Sequence, residues 1–298
     1  MMDMATFMQH ITNGVSVGSL YALIAIGYTM VYGILRLINF AHGDIFMMAA
    51  YFMVFGIITF QLPWYLTVII TIVLTALLGM LIEKCAYSTL RDAPKTSILI
   101  SAIGVSYLLE NLSTYLFTGK PRAFPEIAGL AQTFQIGSVT MQRVSVVIPI
   151  VAVILGIILL FIINKTKLGM AMRAVSKDYE IARIMGIKID RVIASTFAIG
   201  SALAAVGAIL WGVKYPQVQP MMGVMPGLKC FIAAVIGGIG NIKGAMLGGF
   251  VLGLGEILLI ALLPQLTGYR DAFAFIFLII ILLVRPTGLL GEKITEKV

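Results

Sequence analysis

Long apolar runs recur along the whole chain and are separated by short polar segments. The long runs are continuous instead of alternating, which predicts membrane-spanning helices and not the strands of a β-barrel. A shorter apolar segment at 226–239 predicts one short or broken helix. The fold class is therefore predicted to be all-α, a polytopic helical membrane protein with about eight full transmembrane helices. The predicted spans are residues 11–35, 43–60, 64–83, 96–118, 144–163, 191–213, 242–263 and 270–285.

Composition supports this prediction. Apolar residues make up 60% of the 298 residues, charged residues make up 11%, and the mean hydropathy is +1.04, outside the range of soluble domains. The net charge of +8 is carried by loop residues, so nucleic-acid binding is not expected. Cys85 and Cys230 lack metal-ligand spacing, and no metal or cofactor is expected on this chain. We predict one transmembrane domain, 1–298.

The segment 164–191 is the most cationic loop of the chain. Because Lys and Arg accumulate in cytoplasmic loops, this loop is predicted to be cytoplasmic and the N-terminus to lie outside. The C-terminal tail, with Arg285, Lys293 and Lys297, then lies inside if segment 226–239 crosses the membrane, and outside if that segment is re-entrant. The cations of the loop are Lys165, Lys167, Arg173, Lys177, Arg183, Lys188 and Arg191.

A polar motif, "RLINFAHGDIF", interrupts the apolar pattern at residues 36–46. We expect Arg36 to anchor the chain at the cytoplasmic edge, and the stretch from Asn39 to Asp44 to cap and turn the chain into the second span. Asp44 near a helix N-terminus is favoured electrostatically. A gate or pathway element formed by Asn39, His42, Gly43 and Asp44 and a purely structural turn are both open interpretations.

A weak echo of this motif appears about 200 residues later, in "GNIKGAMLGGFVLG" (240–253). His42-Gly43 in the first motif corresponds to Lys243-Gly244 in the second, and each is followed by an apolar helix. This suggests a weak two-half repeat, which in transporters places the substrate route between the halves. Gly240, Asn241 and Gly244 are therefore further candidates for the pathway.

Two carboxylates, Glu110 and Glu256, lie inside predicted spans. A charge at the bilayer centre costs roughly 2.5–3.5 kcal/mol even on mild scales, so each is expected to face protein or water. Solvation near an interface is an equal alternative. An ion-coupled carrier or channel that uses Glu110, Glu256 and Asp44 as cation sites is a second functional hypothesis.

Small residues recur at intervals of three and four in several spans, which predicts close helix packing more than a substrate path. The stripes are Gly14, Gly18, Ala22, Ala25 and Thr29 in the first span, Ala194, Ala198, Ser201, Ala205, Ala208 and Gly212 in the sixth, and Gly244, Gly248, Gly249 and Gly253 in the seventh.

The cytoplasmic loop is predicted to contain a short docking helix. Ser176 can cap it, Asp178 and Glu180 fall in its first turn, and Gly186 ends it. An apolar face at spacing i, i+3, i+4 suits the groove of a partner protein, with the membrane surface as the alternative. This face comprises Ile181, Ile184 and Met185.

Catalytic motifs do not emerge from the sequence. "GGIGNIKG" (237–244) lacks the third glycine and the preceding strand of a dinucleotide loop, and no G-x-x-x-x-G-K-[ST] phosphate loop occurs. Neither His10 nor His42 has a nucleophile or ligand cluster nearby. The chain is therefore not expected to be an enzyme or to hydrolyse ATP itself.

Three stretches carry a family resemblance. "EIARIMG" (180–186) matches the Glu-x-Ala-x-x-x-Gly loop of ABC importer permeases, without the Ile-x-Leu-Pro continuation found in many of them. "LRLINFAHGDIFMMAAY" and "IGGIGNIKGAMLGGFVLG" closely resemble the two hallmark stretches of the branched-chain amino acid permease family. The resemblance runs from about Gly14 to Gly291 and is nearest to the shorter of that family's two permease subunits.

The resemblance implies a multi-pass permease of a prokaryotic inner membrane. Its partners would be a homologous second permease (or a second copy), two ATPase subunits that bind ATP, and an extracytoplasmic binding protein delivering leucine, isoleucine or valine. Transport would proceed by alternating access, with urea, amides or other amino acids as alternative substrates. Residues 176–187 would form the coupling helix, with Asp178, Glu180, Ala182 and Gly186 in the ATPase cleft.

Overall fold

A computed structural model describes residues 4–91, 93–137 and 139–291. Lys293 and Lys297 of the C-terminal tail lie outside the described residues. Within these ranges the chain is predominantly helical, as predicted. The helices are α1 Met4–Leu35, α2 His42–Val54, α3 Trp64–Ile82, α4 Lys95–Phe117, α5 Arg143–Lys165, α6 Lys167–Lys177, α7 Tyr179–Ile184, α8 Ile189–Lys214, α9 Val224–Gly237, α10 Ile242–Leu262 and α11 Arg270–Val284.

Several helices are extended by tighter or wider turns. Phe55–Thr59 continues α2, Glu83–Leu90 continues α3, and Pro264–Tyr269 precedes α11. With these extensions, eight helices in the described ranges are long and apolar enough to cross a membrane, and α9 is a shorter apolar helix. The predicted eight spans and one short segment are therefore confirmed.

Two small antiparallel ribbons complete the secondary structure of the described ranges. β1 (Arg122–Ala123) pairs with β4 (Gln217–Val218), and β2 (Thr133–Ile136) forms a hairpin with β3 (Val139–Gln142). Both ribbons lie at helix ends.

The centre of the bundle is α1, which is buried from Ser16 to Val31. Gly18 lies against Phe250 of α10, and Gly27 lies against Gly200 of α8. Glycine at these positions lets two helix backbones approach closely, which is the main source of helix association in lipid. The small-residue stripes thus pack within the chain, as their spacing predicted. Apolar side chains of α3, α5 and α11 instead cover the outer surface.

The bundle has two ends. The coupling face, defined as the end that carries α6 and α7, meets α1 where the Tyr179 hydroxyl donates to the Ile34 carbonyl at 2.6 Å. At the opposite face, Gln9 of α1 donates to the Thr140 carbonyl of the β2–β3 hairpin at 3.1 Å. The two termini of α1 therefore mark the two faces.

The chain turns back into the bundle after α1. The His42 ring packs edge-on against Tyr28, with ring centroids 5.5 Å apart, and lies beside Gly27. Because Gly27 precedes the end of α1 by about two turns, or roughly 12 Å, residues 36–41 must return from the coupling face into the interior. The second long helix thus begins inside the bundle and runs towards the opposite face.

α9 begins at the same depth and runs the other way. Gly223 and Gly227, at its start, pack on Gly43 of α2, and the residues following α11 bind its other end, where Leu290 N–H donates to Gly237 O at 2.9 Å. That end lies at the coupling face, because the next turn meets Gly33 in the last turn of α1. With the approach through residues 215–223, this segment passes from one face to the other, which agrees with the position of residues 289–290 at the coupling face.

Two expected caps are wrong. Ser176 does not begin the docking helix, because α6 continues through Lys177 and Asp178 caps α7 instead. Asn39 and His42 do not cap α2, whose N-cap is Ala41 and has no side-chain hydrogen bond. The Asn39 Oδ1 instead accepts from the Tyr87 hydroxyl at 3.0 Å. The echo between the two motifs is therefore partial, since Asn241 does cap α10.

Candidate functional site

A cavity of about 110 Å³ lies where α2 and α9 begin. Four predicted pathway residues line it together: Asn39, Gly43 and Asp44 from the first polar motif, and Glu110 from α4. The sequence did not predict its other walls, which include Tyr28 of α1, Ser106 of α4 and Gly223, Gly227 and Phe231 of the α9 region. The structure thus gathers one carboxylate from each of two distant spans at one place inside the bundle.

Asp44 is the most constrained acid of the cavity. Its side chain lies in the first turn of α2, the residue is 2% exposed, and the Ser106 hydroxyl donates to its Oδ2 at 2.5 Å. Its Oδ1 has no hydrogen-bond partner among the described residues. The positive end of the helix dipole favours a carboxylate at this position. One carboxylate oxygen is thus fixed and the other is available.

Asn39 adds an unpaired hydrogen-bond donor to the cavity. The residue is 2% exposed, its Oδ1 is held by Tyr87, and its Nδ2 is without an acceptor in the described ranges. Buried polar atoms normally find partners because an unmade hydrogen bond is costly. The cavity therefore carries a buried side-chain donor and a buried side-chain acceptor that are both unused.

Glycines permit the two helix starts to meet. A Cβ atom on Gly43 would overlap the carbonyl oxygen of Gly223, and a Cβ on Gly223 would overlap that of Gly43. Both clashes are with backbone atoms, which cannot rotate away as a side chain would. The stretch "MMGVMPG" (221–227) at the start of α9 contains both glycines, and this spacing is the sequence signal for the contact.

The other predicted pathway residues lie elsewhere. His42 is buried against Tyr28 and does not line the cavity. Gly240, Asn241 and Gly244 form a turn at the coupling face, where the Asn241 amide accepts from Gly244 N–H at 3.1 Å and donates to Leu290 O at 2.8 Å. Their part in transport stays a prediction.

Glu256 belongs to a buried charge cluster between α1, α9, α10 and α11. Lys229 and Arg270 both pair with its Oε1, and the Tyr21 hydroxyl donates to its Oε2 at 3.0 Å. Lys229 also pairs with Asp271 at 2.7 Å. Sequence reasoning missed Lys229, although a lone lysine in the apolar segment 226–239 was a usable signal. Glu256 is thus neutralised by partners and is separate from the cavity.

The coupling segment, defined as residues 176–187, displays the predicted apolar face. Ile181, Ile184 and Met185 are 61%, 83% and 75% exposed. The Asp178 carboxylate caps α7 by accepting from Glu180 N–H at 2.8 Å and from Ile181 N–H at 3.0 Å.

The rest of the coupling segment faces inwards or ends the helix. Ala182, predicted to lie in a partner's cleft, is 2% exposed and faces its own chain. Gly186 ends the helix at φ +81°, a conformation that glycine adopts at no steric cost. The end of the segment is therefore as predicted.

The coupling segment is tied to the polar motif. Arg36 donates to the Ser176 carbonyl at 3.4 Å, and the Tyr179 hydroxyl donates to Ile34. Burial raises the pKa of Tyr179, so this hydroxyl remains a donor. The coupling segment is thus hydrogen-bonded to Ile34 and Arg36, which precede the stretch of chain that returns to the cavity.

Comparison with known proteins identifies the family. The model described as "Branched-chain amino acid transport system / permease component" matches residues 10–282. The chain belongs to this permease family. The high-affinity branched-chain amino acid transport system permease proteins LivH of Salmonella typhimurium strain LT2 and of Escherichia coli K12 are each 42% identical over 306 residues, with 98% of both chains covered. BraD of Pseudomonas aeruginosa, with a similar description, is 40% identical over 307 residues, again with 98% of both chains covered.

Membership of the permease family confirms the resemblance seen in the three sequence stretches. The relatives are transport subunits that match along nearly their whole length, so this chain is a multi-pass membrane permease component. No solved structure gives a significant match.

Proposed function

We propose that this permease is the transmembrane subunit of a binding-protein-dependent ABC importer for leucine, isoleucine and valine. The observation that carries the proposal is the near-full-length identity to permeases named for branched-chain amino acid transport. The partners are a second permease subunit, homologous or identical, an extracytoplasmic binding protein, and two ATPases on which ATP is hydrolysed. The permease itself holds no cofactor. Urea, amides and other amino acids remain alternative substrates, because the binding protein selects the cargo.

The coupling segment is the proposed ATPase contact. Ile181, Ile184 and Met185 form an exposed apolar ridge at the cationic end of the bundle, which the positive-inside rule places in the cytoplasm of a prokaryotic cell. The alternative, contact with the membrane surface, leaves this ridge in lipid. Gly186 and Glu180 complete the family's loop pattern beside it. A groove on one ATPase subunit would cover the ridge of this permease, and the second permease subunit would contact the other ATPase.

Alternating access is the proposed transport mechanism, and the hydrogen bonds of the coupling segment support it. Closure of the ATPase dimer displaces α7, the Tyr179 and Arg36 contacts carry this movement to residues 34–41, and the start of α2 shifts against the start of α9. Because Gly43 and Gly223 touch through backbone atoms, a small displacement of either helix changes the cavity between them. The cavity is therefore the proposed gate region of the pathway.

Ile184→Ser tests the ATPase contact. Loss of a buried isoleucine side chain costs roughly 1.5–3 kcal/mol, so the affinity for the ATPase subunits should fall about 10- to 100-fold. The matched control is Met170→Ser on α6, since Met170 is 63% exposed but lies outside the ridge. Co-purification of the ATPases and ATP-driven leucine uptake in proteoliposomes are measured for both variants.

The two outcomes of this experiment are distinct. Weak co-purification of the ATPases with Ile184→Ser, but not with Met170→Ser, supports the contact. Normal assembly and uptake in Ile184→Ser would contradict it. An ion-coupled carrier, suggested by Asp44 and Glu110 in one cavity, predicts instead that the purified permease alone takes up leucine without ATPases. Such uptake would overturn the ABC proposal.

A further inference from the structure

Two helices begin at the cavity and point in opposite directions. α2 has 13 residues and α9 has 14, and neither start has a side-chain cap. In α2 the N–H groups of Gly43 and Asp44 donate to no backbone carbonyl of the described residues. Each helix start carries roughly half a positive charge. The two starts therefore place fractional positive charge on one side of the cavity, and the start of α2 adds N–H groups that donate to no backbone carbonyl of the described residues.

Unpartnered side chains at the same place point independently to a ligand. Asn39 Nδ2 and Asp44 Oδ1 both lack partners in the described part of the chain, and both residues are 2% exposed and line the cavity. Asn39 Nδ2 is a hydrogen-bond donor, and Asp44 Oδ1 is a hydrogen-bond acceptor that carries negative charge. A single ligand that satisfies both must itself carry an acceptor and a donor.

The carboxylates fix the polarity of this ligand. Asp44 and Glu110 line the same cavity, and no lysine, arginine or histidine is among the described residues that do so. Two acids without a cationic partner favour a positively charged group between them. Helix starts and an amide nitrogen favour a negatively charged group nearby.

We propose that the cavity is a binding subsite for the α-amino and α-carboxyl groups of a zwitterionic amino acid. The ammonium group lies between Asp44 Oδ1 and Glu110, and the carboxylate lies at the starts of α2 and α9 with Asn39 Nδ2. Tyr28, Leu228 and Phe231 form the apolar wall for the side chain. The permease then recognises the α-amino and α-carboxyl groups that all α-amino acids share, whereas the binding protein selects the side chain. This inference rests on the proposed transport function.

Binding of radiolabelled leucine to the purified permease complex in nanodiscs, without the binding protein, tests the subsite. Isovalerate lacks the ammonium group and isoamylamine lacks the carboxylate, so neither should displace leucine as well as valine or isoleucine does. Asp44→Asn should weaken leucine binding roughly tenfold or more, since a charge-assisted hydrogen bond is lost. Glu126→Gln is the matched control, because Glu126 is exposed and lies outside the cavity.

Each outcome has one meaning. Absent leucine binding, unchanged binding by Asp44→Asn, or equal competition by isoamylamine would overturn the subsite, and the last would indicate a simple cation site. If Asp44→Asn does not assemble, Glu110→Gln on α4 carries the same expectation. ATP-driven uptake by the wild-type complex with its binding protein is measured separately. Failure of that uptake counts against the proposed function, whereas normal uptake with unchanged Asp44→Asn binding counts against the subsite alone.

Discussion

Glu256→Gln should destabilise the permease without affecting the cavity. The Glu256 side chain is 2% exposed and Lys229 is 7% exposed, so the pair is shielded from water. Without the carboxylate, Lys229 keeps only Asp271, whose side chain is 52% exposed, and Arg270 loses its partner while 31% exposed. The variant therefore leaves a buried ammonium group incompletely paired.

The magnitude follows from this geometry. Removing one partner of a buried ion pair costs about 3–5 kcal/mol. Asp271 offsets part of this cost and Arg270 regains some hydration, so we expect about 3 kcal/mol. At roughly 2 °C for each kcal/mol in a large domain, the unfolding midpoint should fall by about 6 °C. Glu126→Gln, at an exposed site, should shift it by no more than about 1 °C.

Thermal unfolding in detergent, followed by loss of the monodisperse peak, measures both variants. Lys229→Met combined with Glu256→Gln removes both charges of the pair and should be less destabilised than the sum of the single variants. A midpoint within 2 °C of the wild type for Glu256→Gln, or full additivity in the double variant, would refute the reasoning. Leucine binding by the folded fraction of Glu256→Gln should be unchanged. Loss of this binding would indicate that Glu256 takes part in the transport pathway.

Two further predictions concern the helix starts. Gly43→Ala should prevent recovery of folded protein because its Cβ overlaps the backbone of Gly223, whereas Gly104→Ala, which meets open space, should purify normally; equal yields would contradict the close contact. Asp178→Ala removes the acceptor of two amide groups and should destabilise α7 by about 1 kcal/mol. Faster hydrogen exchange in the first turn of α7, restored by Asp178→Ser, checks this, and unchanged exchange would show that the cap does not hold the helix.

The membrane spans were predictable because hydropathy is a property of consecutive residues. The packing of α1 was also partly visible, since Gly14 and Gly18 repeat at the spacing of one helix face and do meet α10 at Leu254 and Phe250. Sequence spacing alone identifies a packing face but not the helix that covers it. The partner helix became known only from the structure.

Cap positions were harder to predict because they depend on where the preceding helix ends. Ser176 and Asp178 are both good N-cap residues. α6 continues past Ser176 because Met172 and Val175 on its inner face are buried, so the break comes at Asp178. Tertiary burial decided between two locally acceptable residues.

The pairing of distant groups was beyond the sequence. Asp44 and Glu110 come from different spans, and only the return of residues 36–41 into the bundle brings them to one cavity. In the same way, Glu256 was recognised as a lone acid in an apolar helix, whereas Lys229 and its pairing with Glu256 became known only from the structure. The acids were recognisable from the sequence, but their neighbours were not.

The central position of α1 has a consequence for biogenesis. This helix is synthesised long before α10, which covers part of it, since Tyr21 and its partner Glu256 are 235 positions apart. Until α8 and α10 are inserted, α1 is only partly covered, and polar residues that are buried in the complete fold, Ser16, Ser19 and Thr29, lack part of their final surroundings. Assembly of the interior is therefore a late event that follows insertion of the separate helices. A nascent chain that stops before α10 should retain membrane-inserted segments without a completed core.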